Sequence, residues 1–178
     1  TVANSTIYRI TSVRGVVVKD LRINGPNDGN SGVAMDFNYL EDALIQNVHI
    51  HGCSQMAVSF EYSFNCLVEE CILERSNRPT YGYATAFSNG CQYMTVQNCY
   101  FDANRHHGVG GGSVGVNRFL TWTRNTCMWE RTFPNIHDLM FRGHVNTENM
   151  EFSHNHVQSH PGVPIFQVSG GSSLVDSN

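Results

Sequence analysis

Residues 16–25 read VVVKDLRING. The same design returns as ALIQNVHIHG at 43–52, CLVEECILER at 66–75, MTVQNCYFDA at 94–103, LTWTRNTCMW at 120–129 and MEFSHNHVQS at 150–159. Each window sets one polar residue between two short apolar runs: Asp20, Asn47, Glu70, Asn98, Asn125 and Asn155. A seventh copy, SSLVDSN, opens at 172 and stops at Asn178. Successive intervals are 27, 23, 28, 27, 30 and 23 residues, and self-similarity at such a period marks a solenoid.

The positions around the polar residue give the pattern its physical meaning. Two places before it stand Val18, Ile45, Val68, Val96 and Thr123. One and three places after it stand Leu21 and Ile23, Val48 and Ile50, Cys71 and Leu73, Cys99 and Phe101, then Thr126 and Met128. Alternation with period two puts these on one strand face. The polar residue falls where the chain must bend, and Asn and Asp tolerate the left-handed backbone a tight bend requires. A second strand precedes each bend, in GVAMDF, MAVSFEY, YATAF, DLMF and PIFQV. Two or three strands per repeat predict an all-β fold, a right-handed single-stranded parallel β-helix of about six to seven coils. Residues 1–178 then form one β-helix domain, a fragment with flanking sequence expected at both ends and a homotrimer as the expected assembly, because open coil ends are adhesive edges.

Composition narrows the function. Charged residues make up 15% of the 178 and the net charge is −4, against about a quarter charged in an ordinary globular protein. No basic run exists, which argues against nucleic acid as a partner. No apolar stretch reaches the ~18 residues of a membrane span. The six cysteines form no CxxC pair, so a zinc ribbon is not expected, while disulfides are permitted but not required. Asn4-Ser5-Thr6 is a glycosylation sequon, relevant in a secreted protein.

The repeat and its strand pattern resemble the pectin-lyase-like β-helix superfamily, which includes secreted polysaccharide-acting enzymes and bacteriophage tailspike proteins. The resemblance implies an extracellular protein, secreted or virion-associated, with a polysaccharide as its partner and no cofactor. It implies either a glycoside hydrolase or polysaccharide lyase, or a non-catalytic adhesive or structural helix, since one fold hosts many functions. The NTD, DD and GHG motifs of the polygalacturonase-like members are not reproduced. Asn146-Thr147-Glu148 and Gly143-His144-Val145 stand out of their order, and there is no adjacent Asp pair.

Candidate site residues follow from the same alignment. Four places past the bend come Asn24, His51, Glu74, Asp102, Trp129 and Ser159, a column predicted to face outward. Glu74 and Asp102 would lie on consecutive coils, roughly 4.8 Å apart at the backbone. Two ionised carboxylates that close repel each other, an arrangement glycoside cleavage exploits. Trp129 and His51 would contact the sugar. Arg105, His106 and His107 come next, followed by what reads as a glycine-rich loop with Gly108, Gly110, Gly111, Gly112 and Gly115. This resembles the Arg-His turn of superfamily members, in which such residues neutralise a uronate or take its ring proton. The expected catalytic set is therefore Glu74, Asp102, Arg105 and His106, with His51, Trp129 and His107 binding substrate. His49 with His51, and His154 with His156, lack a third ligand, so no metal site is predicted. Cys71 and Cys99 share an inward column, where a disulfide or two buried thiols would both fit.

Overall fold

The computed structural model describes residues 12–25, 32–76, 78, 81–128, 140–144, 146–158, 164–168 and 173–176. The chain is an all-β parallel solenoid of about five turns, and no helix occurs among the described residues. The turn count is lower than the sequence repeat suggests, because six successive strands enclose only five full turns between them. None of the described residues forms a helix long and apolar enough to cross a membrane.

Two sheets make the walls. In the long sheet, Val17–Asn24 pairs with Leu44–His51, which pairs with Leu67–Glu69 and Ile72–Glu74. Gln92–Gln97 with Tyr100–Asp102, Asn117–Thr123 with Thr126–Met128, and Thr147–Ser153 with His156–Val157 continue it. The short sheet stacks Val33–Asn38, Met56–Glu61, Tyr83–Ser88, His106–Gly111, Phe141–Gly143 and Phe166–Val168. All pairings are parallel between successive coils, so like residues stack. Val18, Ile45, Val68, Val96, Trp122 and Phe152 form one inward column, buried from Ile45 onward.

The bends are built one residue at a time. Asp20, Asn47, Glu70, Asn98, Arg124 and His154 all have φ between 51 and 56°, the left-handed region that turns a chain sharply. Three further corners use the same device. Gly15, Asp42, Asn65, Tyr93, Phe119 and Asn149 form one, Gly52, Arg75 and Ala103 another, and Tyr39, Tyr62, Asn89 and Gly112 the last.

This register corrects the sequence alignment at the later coils. Gln97 pairs with Thr123 and Tyr100 with Thr126, so Asn98 stacks on Arg124 and the interval is one residue shorter than the pattern implies. Asn125 and Asn155 therefore lie one place past the bend, inside the coil, buried beneath Cys71 and Cys99. There they form a ladder. Asn125 Oδ1 accepts from the Cys99 N–H at 2.9 Å, and its Nδ2 donates to the Val96 carbonyl at 3.1 Å. Asn155 Oδ1 accepts the Asn125 N–H at 3.0 Å, while its amide donates to Trp122 O at 2.9 Å. Trp122, Asn125 and Cys127 take the inward places expected of Thr123, Thr126 and Met128.

Gly108, Gly110 and Gly111 belong to a strand rather than a loop. A Cβ on Gly108 would strike the Trp122 indole and the Phe141 ring, so glycine is what lets those two aromatics fill the core. Trp122 Nε1 donates to Thr85 Oγ1 at 3.1 Å, and that hydroxyl donates to His107 O at 2.9 Å. All six cysteines are free and buried. Cys71 and Cys99 each donate to a local carbonyl at 3.2 Å, and burial pushes Cys91 up to about 12 and Cys99 well above its ordinary value.

Candidate functional site

The long sheet ends at a corner where the predicted column assembles. His51, Glu74 and Asp102 are direct register partners on consecutive coils, all partly exposed. Met128 takes the next place beside Asp102. Trp129, expected at that place, lies outside the described residues. Glu74 does not stand alone with Asp102, because His49 Nε2 lies 2.8 Å from its Oε1. Residue 49 precedes His51 by two on the same outward face, which is why its ring reaches the neighbouring coil's carboxylate. Among the described residues, no group of three or more His, Cys, Asp or Glu could hold a metal ion.

The Arg-His-His stretch divides. His106 and His107 are fully buried, which corrects their expected place on a substrate-facing surface. His106 packs against Tyr83 with ring centroids 5.3 Å apart. His107 stacks on Phe101 at 5.4 Å and meets Phe141 edge-on at 6.0 Å. The amide of Asn104 points at His107 Nδ1 from 3.4 Å. Burial, and secondarily the neighbouring His106, holds the His107 imidazole down at about 3 against the opposing pull of the Met128 backbone. It is a neutral core ring at any ordinary pH. Arg105 remains at the corner, its N–H donating to Ser76 O at 2.9 Å.

Beyond that corner, the outer face of the short sheet carries a hollow of about 220 Å³. Small residues make its floor: Ala86, Val109, Gly111 and Gly112. Tyr81, Tyr83, Met56 and His144 wall it. The hollow exists because successive coils put the small side chains of Ser59, Ala86 and Val109 at the same register. A Cβ on Gly111 would crowd the His144 ring at 3.0–3.3 Å, so that glycine seats the imidazole.

Positive charge gathers at one side. Arg142 is the register partner of Val109, and its Nε is buried with no hydrogen-bond partner among the described residues. Partial burial, then the charges of Arg142 and Arg105, hold the His144 imidazole below its usual range, which places Arg105, Arg142 and His144 in one neighbourhood. The sequence reading missed Tyr81, Tyr83, Arg142 and His144. The Tyr81-Gly82-Tyr83 pair was the available signal, since two tyrosines flanking a glycine put rings near a bend.

Comparison with protein-family models, with curated proteins and with solved structures finds no match to this chain. The reading of function therefore rests on the residues themselves.

Proposed function

We propose that this solenoid binds an acidic polysaccharide on its outer wall outside the cell, with the hollow over the short sheet as its principal subsite. The observation that carries this is the Arg142 Nε, buried beside an aromatic-walled hollow without an acceptor among the described residues. A buried guanidinium donor left unpaired is costly, and a sugar carboxylate supplies the planar acceptor that Arg favours. Tyr81 and Tyr83 supply the apolar surface for a ring. The resemblance to the pectin-lyase-like superfamily points to the same ligand class. Titration with oligogalacturonate and oligoalginate probes tests it. Tyr81→Ala and Arg142→Met should each weaken binding at least tenfold, and wild-type affinity in both variants would refute the reading.

A catalytic second reading is favoured by one observation, the adjacency of Glu74 and Asp102 with His49 bonded to the former. Backbones about 4.8 Å apart bring carboxyls within the ~5 Å spacing of a retaining hydrolase. New reducing ends would indicate hydrolysis, and ultraviolet absorbance from an unsaturated sugar would indicate elimination. Either product should vanish in Glu74→Gln. If the wild-type protein yields neither product while it binds, the solenoid is an adhesive module.

A further inference from the structure

The narrow edge of the solenoid between the Tyr39 corner and the Tyr93 corner carries an aromatic ridge unrelated to the hollow. Tyr39 and Tyr62 stack at 4.9 Å and 9°. Phe64 meets Tyr93 edge-on at 5.2 Å, and Tyr93 stacks on Phe119 at 4.6 Å and 15°. Tyr62, Phe64, Tyr93 and Phe119 are 36%, 43%, 47% and 41% exposed. Four of these five residues hold left-handed backbone, with φ of 59° at Tyr39, 50° at Tyr62, 55° at Tyr93 and 56° at Phe119. A bulky residue there is a true outlier, and strain of that kind gathers at functional positions.

The molecule supplies its own control. At the same corners, other coils use Gly15, Asp42, Asn65 and Asn149, or Asn89 and Gly112, residues that turn left-handed at small cost. The bend therefore does not require the rings. Ring stacking offsets part of the strain but does not explain why the stack sits in solvent. Beside the ridge, Arg14 is taken by Glu41 at 2.6 Å and Arg118 by Glu148 at 2.9 Å, while the Asp42 carboxylate accepts from the Asn65 amide and Glu61 from the Ser88 hydroxyl, so the edge leans acidic and favours a neutral ligand over an anionic one. The exposed rings present on the order of 350 Å², well short of the ~800 Å² per partner that a stable dimer buries.

We propose that this ridge is a binding site for a neutral, linear glycan, whose pyranose C–H faces lie against the exposed ring surfaces. It is independent of the acidic-ligand reading of the hollow. The test titrates the whole chain with cellohexaose and mannohexaose and compares it with the double variant Tyr93→Asn, Phe119→Asn. Asparagine is what the same corner carries at 65 and 149, so the variant keeps the bend. The expected result is binding by the wild-type protein, at least tenfold weaker in the variant, at a melting temperature equal to or above wild type, and unchanged by His144→Ala. Three results would overturn the proposal: no binding of either neutral probe, equal affinity in the variant, or a lowered melting temperature that makes the stack structural.

Discussion

Acidification should destabilise this solenoid chiefly through His107. Its imidazole is held near 3 when folded, against 6.5 for the free side chain. The depressed folded value means the fold favours the neutral ring. Its contribution to stability is therefore fully present above pH 6.5 and is lost as pH falls from there toward 3, because only the unfolded chain takes up the proton. At pH 4.5 the unfolded histidine is two pH units below its titration point, worth about 2.7 kcal/mol at 1.36 kcal/mol per unit. That is a large share of the 5–15 kcal/mol that holds a typical domain. Urea denaturation followed by circular dichroism at pH 7.5 and 4.5 measures the loss. His107→Phe places a third ring between Phe101 and Phe141 and cannot titrate. The variant should lose about 2–3 kcal/mol less than wild type across the same window. The carboxylates common to both proteins cancel in that difference. If the two proteins lose the same stability, His107 is not a buried neutral ring and the core described here is wrong.

Asn125→Ala strips partners from the Cys99 N–H and the Val96 carbonyl and should cost about 2–4 kcal/mol in urea denaturation. Asn98→Gly, at the exposed left-handed corner one place earlier in register, should change stability by less than about 1 kcal/mol. Gly108→Ala should lower stability by about 1–3 kcal/mol in the same assay, since the new methyl meets the Trp122 indole. A thiol-specific chromogenic reagent should label none of the six cysteines of the native protein and all six in denaturant, because each is buried and free.

The architecture was legible because a solenoid repeats its interior. Val18, Ile45, Val68 and Val96 recur at one distance from the bend, and the register confirms that column. The alignment slipped where chemistry is degenerate. Asparagine suits a left-handed bend, and it equally suits a buried ladder, where its amide satisfies backbone groups of two coils at once. Asn98 does the first and Asn125 the second, so matching letters misplaced the coils from Leu120 onward by one. The cue lay in the flanks. Trp122 and Cys127 make an apolar inward set, whereas the chosen Thr123, Thr126 and Met128 put two threonines in the core. The hollow was illegible for another reason: its lining comes from Tyr81, Gly111 and His144 on three coils, and only the short-sheet register brings them together.

His106 and His107 show where alternation itself fails. The stretch looked like a site because it resembles an Arg-His turn before a glycine-rich loop, whereas it runs as a strand in which both imidazoles are buried. In the structure the N–H groups of both His107 and Gly108 bond to the single carbonyl of Met140, at 2.6 and 3.2 Å. One carbonyl serving two successive donors kinks the strand, so His107 and Gly108 both turn inward, while His106 keeps the register of Met56 and Tyr83, which line the outer hollow. By register, the place of His107 and Gly108 holds Ala57 with Val58, Ala84 with Thr85, and Met140 with Phe141, every one of them buried. Two successive buried places in each of these coils create interior space that alternation does not foresee. One coil fills that space with a histidine, and it can do so because Asn104 and a wall of phenylalanines keep the ring neutral and stacked. The polar letter at 107 belongs to the core's packing, His106 is buried against Tyr83, and chemistry on this molecule has to be sought on the outer faces that Arg105, Glu74 and His144 border.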